Sequence, residues 1–164
     1  MKEKSIELLN AAVADELNAV HQYMYFHFHC DDQGYDLLEK KKKKTAIEEM
    51  IHVEQLAERI LFLKGDVEMK APDDVKKIHD VNEMLKLATQ MEESSADAYN
   101  KWAFECSQNA DSVSKKLFES LVEDEERHLD QYDNEMENLK KFGQDYLALQ
   151  SIERSRSAGG TAAE

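Results

Sequence analysis

Residues that break helices are nearly missing from this chain. Its 164 residues include one proline and five glycines. Sheets and mixed folds need more turn residues than that, so one all-helical domain is expected. Cysteine is equally scarce. Cys30 and Cys106 stand alone, without a CxxC pair, which excludes a disulfide scaffold and suits a reducing cytoplasm. No apolar run of about 18 residues occurs, so no membrane span is expected. No apolar leader precedes the pattern that begins after Met1-Lys2-Glu3-Lys4-Ser5, and a cytoplasmic location is expected. Basic residues are outnumbered, 21 against 35 acidic, for a net charge of −14. That balance disfavours nucleic acid or an anionic membrane as partner and favours attraction of cations. What is abundant fits long helices with one buried stripe: 41% hydrophobic and 34% charged residues.

Ile6, Leu9, Val13, Leu17, Val20 and Met24 recur at three- and four-residue steps. This periodicity predicts a first helix over Lys4–Cys30. Asp31-Asp32-Gln33-Gly34 ends it, and a second helix is expected over Tyr35–Lys64, stopped by Gly65. The polar stretch from Asp66 to Val81 holds the lone proline, Pro72. It reads as a long crossover that lets the second and third helices run parallel. Further helices are expected over Asn82–Gln108 and Val113–Phe142, with an N-cap in Asn109-Ala110-Asp111-Ser112. Tyr146-Leu147-Ala148-Leu149 suggests a short fifth helix. The expected layout is a bundle domain over residues 1–153 and a flexible tail over 154–164.

The second and fourth helices each carry a Glu-x-x-His pair: Glu49 with His52, and Glu125 with His128. Residues three apart share a helical face, so each pair aims a carboxylate and an imidazole at one spot. One such pair is as readily a solvated charge pair. Two on different helices, with Glu16 and Glu92 in the apolar stripes of the other two, are harder to dismiss. Glu16 precedes Glu49 by 33 residues, and Glu92 precedes Glu125 by 33. The two hairpins therefore repeat one pattern in one register. Four glutamates and two histidines meeting in a bundle core form a di-iron or di-manganese ligand set. Two divalent cations would balance four carboxylates whose burial is otherwise costly. Oxygen and imidazole donors suit Fe2+ or Mn2+, and the lack of a cysteine ligand argues against tetrahedral zinc. In this reading Glu49 and Glu125 bridge, and Glu16 and Glu92 are terminal.

These segments resemble bacterioferritins. Asp15-Glu16-Leu17-Asn18-Ala19-Val20-His21-Gln22-Tyr23 is similar to the family's first helix. Glu49-Met50-Ile51-His52 with Ala57-Glu58-Arg59-Ile60-Leu61-Phe62-Leu63-Lys64-Gly65 is similar to its second, and Asp124-Glu125-Glu126-Arg127-His128-Leu129-Asp130 to its fourth. The likeness spans roughly residues 4–152 and is nearest to bacterioferritins of sulfate-reducing bacteria. It implies a ferritin-like four-helix bundle in a 24-subunit cage that stores iron. Fe2+ would be oxidised by O2 or peroxide at Glu16, Glu49, His52, Glu92, Glu125 and His128. Tyr23 would sit near that centre, to hydrogen-bond a ligand, to give an electron, or simply to pack. The resemblance also implies haem at a twofold interface, with Met50 as axial ligand and Leu17, Val20, Met24 and Ile47 lining its pocket. A ferredoxin or rubredoxin is the implied electron donor.

The chain departs from the family's pattern at Lys40–Lys44, five consecutive lysines. Protonated Lys44 cannot bind Fe2+, which speaks against the accessory iron site the family often has there. The run otherwise reads as a wet helix face. Cys30 and Cys106 are expected to be buried small hydrophobes, Trp102 a packing residue, and His21, His27 and His29 surface or interface residues. A rubrerythrin-type peroxidase would add a CxxC…CxxC segment. A dodecameric mini-ferritin usually places its ligands between subunits. A non-catalytic bundle would hold no stoichiometric iron.

Overall fold

The computed structural model describes residues 2–160. Its five helices are α1 (Glu3–Asp32), α2 (Asp36–Phe62), α3 (Val81–Gln108), α4 (Ser112–Phe142) and α5 (Gln144–Gly160), with no strand among the described residues. The first four lie within two residues of their expected bounds. No described helix is long and apolar enough to cross a membrane.

Local chemistry explains the ends. Asp80 and Asp111 cap α3 and α4 by accepting from the backbone N–H of Glu83 (3.0 Å) and Ser114 (3.2 Å). Gly34, at φ +83°, makes the left-handed turn between α1 and α2. The left-handed residue closing α2 is Lys64 (φ 65°), one position before the expected Gly65. Gly65 is required for another reason: a Cβ there would lie 2.7 Å from Ile6 Cγ2.

Two phenol hydrogen bonds define how the hairpins face each other. Tyr99 on α3 donates to Glu16 on α1, and Tyr23 on α1 donates to Glu92 on α3. Residue numbers rise on one helix as they fall on the other, so α1 and α3 are antiparallel. The tight α1–α2 turn makes that pair antiparallel too. Helices α2 and α3 are therefore parallel, as the crossover reading requires.

Three amides of α1 hold the crossover. Asn10 donates to the Asp66 carbonyl (2.9 Å) and accepts from the Glu68 N–H (3.0 Å). Asn18 accepts from the Asp73 N–H (3.2 Å) and donates to its carboxylate (3.0 Å). Gln22 makes both bonds to the Lys76 backbone, at 2.8 and 3.0 Å.

Helix α5 seals the end of the bundle at the α1–α2 turn. Leu147 joins the core, and Gln150 caps α2 by accepting from the Leu38 N–H (3.3 Å). Arg154 pairs with Asp31 (2.7 Å). The helix thus runs past the short apolar piece into the segment read as a flexible tail. Residues 161–164 lie outside the described residues.

The core has two apolar halves. One gathers Leu9, Val13, Leu56, Ile60, Phe118 and Cys106, the other Phe26, Cys30, Leu38, Met84, Leu85 and Tyr132. In register between them lies a layer of glutamates and histidines.

Candidate metal centre

All six expected ligands meet in that layer, each at most 2% exposed. Their oxygen and nitrogen atoms form two overlapping quartets: Glu16, Glu49, His52 and Glu125, and Glu49, Glu92, Glu125 and His128. Within each quartet the atoms lie within 4.8 Å of one another. Glu49 and Glu125, the residues expected to bridge, belong to both. Nδ1 of His52 faces Glu49 (2.9 Å), Glu16 (3.3 Å) and Glu125 (3.4 Å). Nδ1 of His128 faces Glu92 (3.3 Å) and Glu49 (3.5 Å). Glu92 Oε2, Glu125 Oε1 and His128 Nδ1 are buried without a hydrogen-bond partner among the described residues. Buried polar atoms rarely stay so. Orphaned donors in two quartets of oxygen and imidazole fit a pair of hard or borderline divalent cations.

Protons balance the layer's charge when no cation does. Burial pushes Glu16 and Glu125 well above the ordinary carboxylate range, helped in both by the neighbouring Glu49 charge. Burial also opposes charge on Glu49, but a hydrogen bond from Glu16 and the two imidazoles facing it outweigh this and hold Glu49 below that range. Burial opposes protonation of the two imidazoles. The carboxylates facing them overcome it, raising His52 far above its usual value and His128 to about 11. A cation must displace these protons, so its binding weakens as pH falls.

Each histidine passes its second ring nitrogen outward. His52 Nε2–H donates to Asp124 on α4 (3.0 Å), and His128 Nε2–H donates to Glu48 on α2. Such partners fix which nitrogen faces a metal. Sequence reasoning missed both, because acids beside a ligand look like surface charge. It also missed Tyr99, whose hydroxyl donates to Glu16 at 2.6 Å while Tyr23 donates to Glu92. A signal was available. Tyr23 and Tyr99 are 76 residues apart, as are Glu16 and Glu92, Glu48 and Asp124, and His52 and His128.

A family model for the ferritin-like domain matches residues 6–142. The bacterioferritin of Desulfovibrio desulfuricans is 37% identical over 163 residues, 99% of this chain and 90% of that protein. Those of Rhodobacter capsulatus and Brucella melitensis are 35% and 34% identical, covering 89% and 87% of this chain and 91% and 88% of theirs. This chain belongs to the bacterioferritin family. A crystal structure of the D. desulfuricans bacterioferritin, describing its diiron site in different catalytic states, superposes with a TM-score of 0.89 at 37% identity. It covers 92% of this chain and 88% of that one.

Other residues divide. Met50 is 51% exposed and Ile47 44%, with Leu17, Val20 and Met24 half-buried, so the methionine faces solvent rather than the layer of glutamates and histidines. Cys30 and Cys106 are buried, in opposite halves of the core. Trp102 packs against Tyr99 and Phe118. His21 is exposed, and His27 and His29 are half-buried.

The lysine run is not one wet face. Lys40, Lys43 and Lys44 are exposed, but Lys41 pairs with buried Glu135, and Lys42 is fully buried. The Lys42 amine has no hydrogen-bond partner among the described residues. It lies 3.9 Å from the ring centroid of Tyr132, 5.2 Å from Phe26 and 5.4 Å from Tyr23. Burial pushes it down to about 7, against the opposing pull of Cys30, Glu92 and Glu135. Five lysines in a row must circle the helix, and the turn of α2 that carries Lys42 faces inward, onto those rings.

Proposed function

We propose that this chain is an iron-storing ferroxidase. The reading rests on two ligand quartets that share Glu49 and Glu125. Two Fe2+ held there are substrate. They give up two electrons, one each, and O2 with two protons leaves as hydrogen peroxide, or hydrogen peroxide with two protons as two waters. Bringing both irons to one spot makes a two-electron acceptor usable. Glu16 with His52 holds one ion and Glu92 with His128 the other, while Tyr23 and Tyr99 orient the terminal carboxylates by hydrogen bonds. Ferric product is stored as mineral inside a closed shell of copies of this chain, 24 by family likeness, in the cytoplasm. Net charge −14 draws Fe2+ to the shell.

Stopped-flow oxidation tests this. Fe2+ added to metal-free protein in air should show a fast phase that saturates at two ions per chain. A fast phase with no such saturation would sink the reading.

We further propose haem between two subunits, held by Met50 from each. A half-exposed thioether, with Ile47, Leu17, Val20 and Met24 also only partly buried, suits an apolar porphyrin pocket completed by a second copy. Bound haem would supply electrons from a ferredoxin or rubredoxin for reductive iron release. Protein expressed with haem available should show a Soret band that Met50→Leu removes or shifts. A porphyrin-free wild type would overturn this.

A further inference from the structure

Arg127 sits on the solvent side of the two histidines. Its Nη2 donates to Glu48 Oε2 and to Asp124 Oδ1, each at 3.0 Å. Those two carboxylates are the ones that receive the histidine ring protons, Asp124 from His52 and Glu48 from His128. A continuous chain therefore runs His52–Asp124–Arg127–Glu48–His128, closing over both quartets. The other oxygen of Glu48 lies 3.9 Å from the exposed Lys44 amine, beyond hydrogen-bond reach. The repeat between the hairpins breaks at this point. The position 76 residues before Arg127 is Ile51, 43% exposed, so one guanidinium serves two otherwise matched halves.

We infer that Arg127 is a positioning residue that couples the two cation positions, so that filling one orients the histidine of the other. This rests on the di-iron reading of the quartets. The physical ground is that each imidazole is oriented by the carboxylate behind it, and here both carboxylates share one donor nitrogen. A cation that turns His52 shifts Asp124, hence Arg127 and Glu48, hence His128. Coupling between sites of this kind is commonly worth a factor of about 5 to 150 in affinity.

The sign of the effect separates this from simple charge. A surface cation near a metal centre repels metal, so its removal should tighten binding at both positions. A coupling residue does the reverse.

The test is a Co2+ binding isotherm on metal-free protein, read from the cobalt absorption bands, for wild type, Arg127→Ala and Arg127→Lys. Melting curves establish that each variant is folded. Wild type should bind two Co2+ per chain in one transition. Arg127→Ala should bind them in two resolved steps, the weaker displaced by about tenfold. Arg127→Lys keeps the charge and a donor but lacks the planar fork, and should bring the steps partly together. Two overlapping steps in Arg127→Ala, or tighter binding at both positions, would overturn the inference. Should wild type itself bind no pair of Co2+, the di-metal reading fails first, and the coupling falls with it.

Discussion

Replacing Glu49 and His52 together by alanine should slow the fast oxidation of Fe2+ by about a hundredfold or more while leaving the helices folded. Glu49 belongs to both quartets, so its loss removes a ligand from each iron. His52 is the only imidazole of its quartet. The two are changed together because they are hydrogen-bonded partners, 2.9 Å apart. Removing one alone would strand the other's charge in the core, which destabilises more than removing both. Stopped-flow oxidation gives the rate, and circular dichroism gives the fold. An unchanged rate in a folded double variant means the chemistry happens elsewhere on the chain.

Lys42→Met should raise the stability of the metal-free protein by several kcal/mol near pH 6 to 7, and the advantage should shrink as pH rises. The amine's pKa falls from 10.5 to about 7 on folding. Below pH 7 both folded and unfolded chains carry the proton, so the folded state bears the whole cost of a buried cation. Between pH 7 and 10.5 the unfolded chain holds a proton that the folded one has shed. Stability then increases with pH, and the cost is relieved. A shift of this size corresponds to an upper bound on the order of 5 kcal/mol. Methionine is unbranched, of similar length and apolar, so it fits between Tyr132, Phe26 and Tyr23 without a cavity. The melting midpoint should rise by on the order of 10 °C at pH 6.5. The comparison is the difference between variant and wild type across pH 6 to 10, which cancels the titration of the other buried groups. Equal midpoints at every pH would show that the amine finds water or a partner in the folded chain.

The register of the ligands was legible because it repeats. The 33-residue spacing between Glu16 and Glu49, and between Glu92 and Glu125, ties four helices together without any three-dimensional information. Helix ends were legible through Asp111, Gly34 and the apolar stripes. What escaped did so for specific reasons. Tyr99 was missed because the repeat was applied to the carboxylates and imidazoles alone, although Tyr23 has its counterpart 76 residues on. Asp124 and Glu48 stand next to ligands and are partly in solvent, so composition cannot tell them from ordinary surface acids. Lys42 was hidden among four lysines of identical type. Only the direction its helical turn faces distinguishes it, and burying an unpaired amine runs against the usual preference of lysine. The extent of α5 was masked by its serines and glycines, while its docking uses a few bonds that join Gln150 to Leu38 in α2, Ser151 to Gly34 in the turn and Arg154 to Asp31 in α1.

The crossover's three amide clasps have a consequence for the centre itself. Asn10, Asn18 and Gln22 stand on the same helix as Glu16 and Tyr23, and each is keyed to one stretch of the connecting segment. The segment acts as a ruler laid along α1. Were that helix to slide by a single turn, all three clasps would open at once, and Glu16 and Tyr23 would leave their partners on α3 in the same step. Alignment of the iron layer is thus indexed from outside the bundle, by a length of chain that contributes no ligand to it.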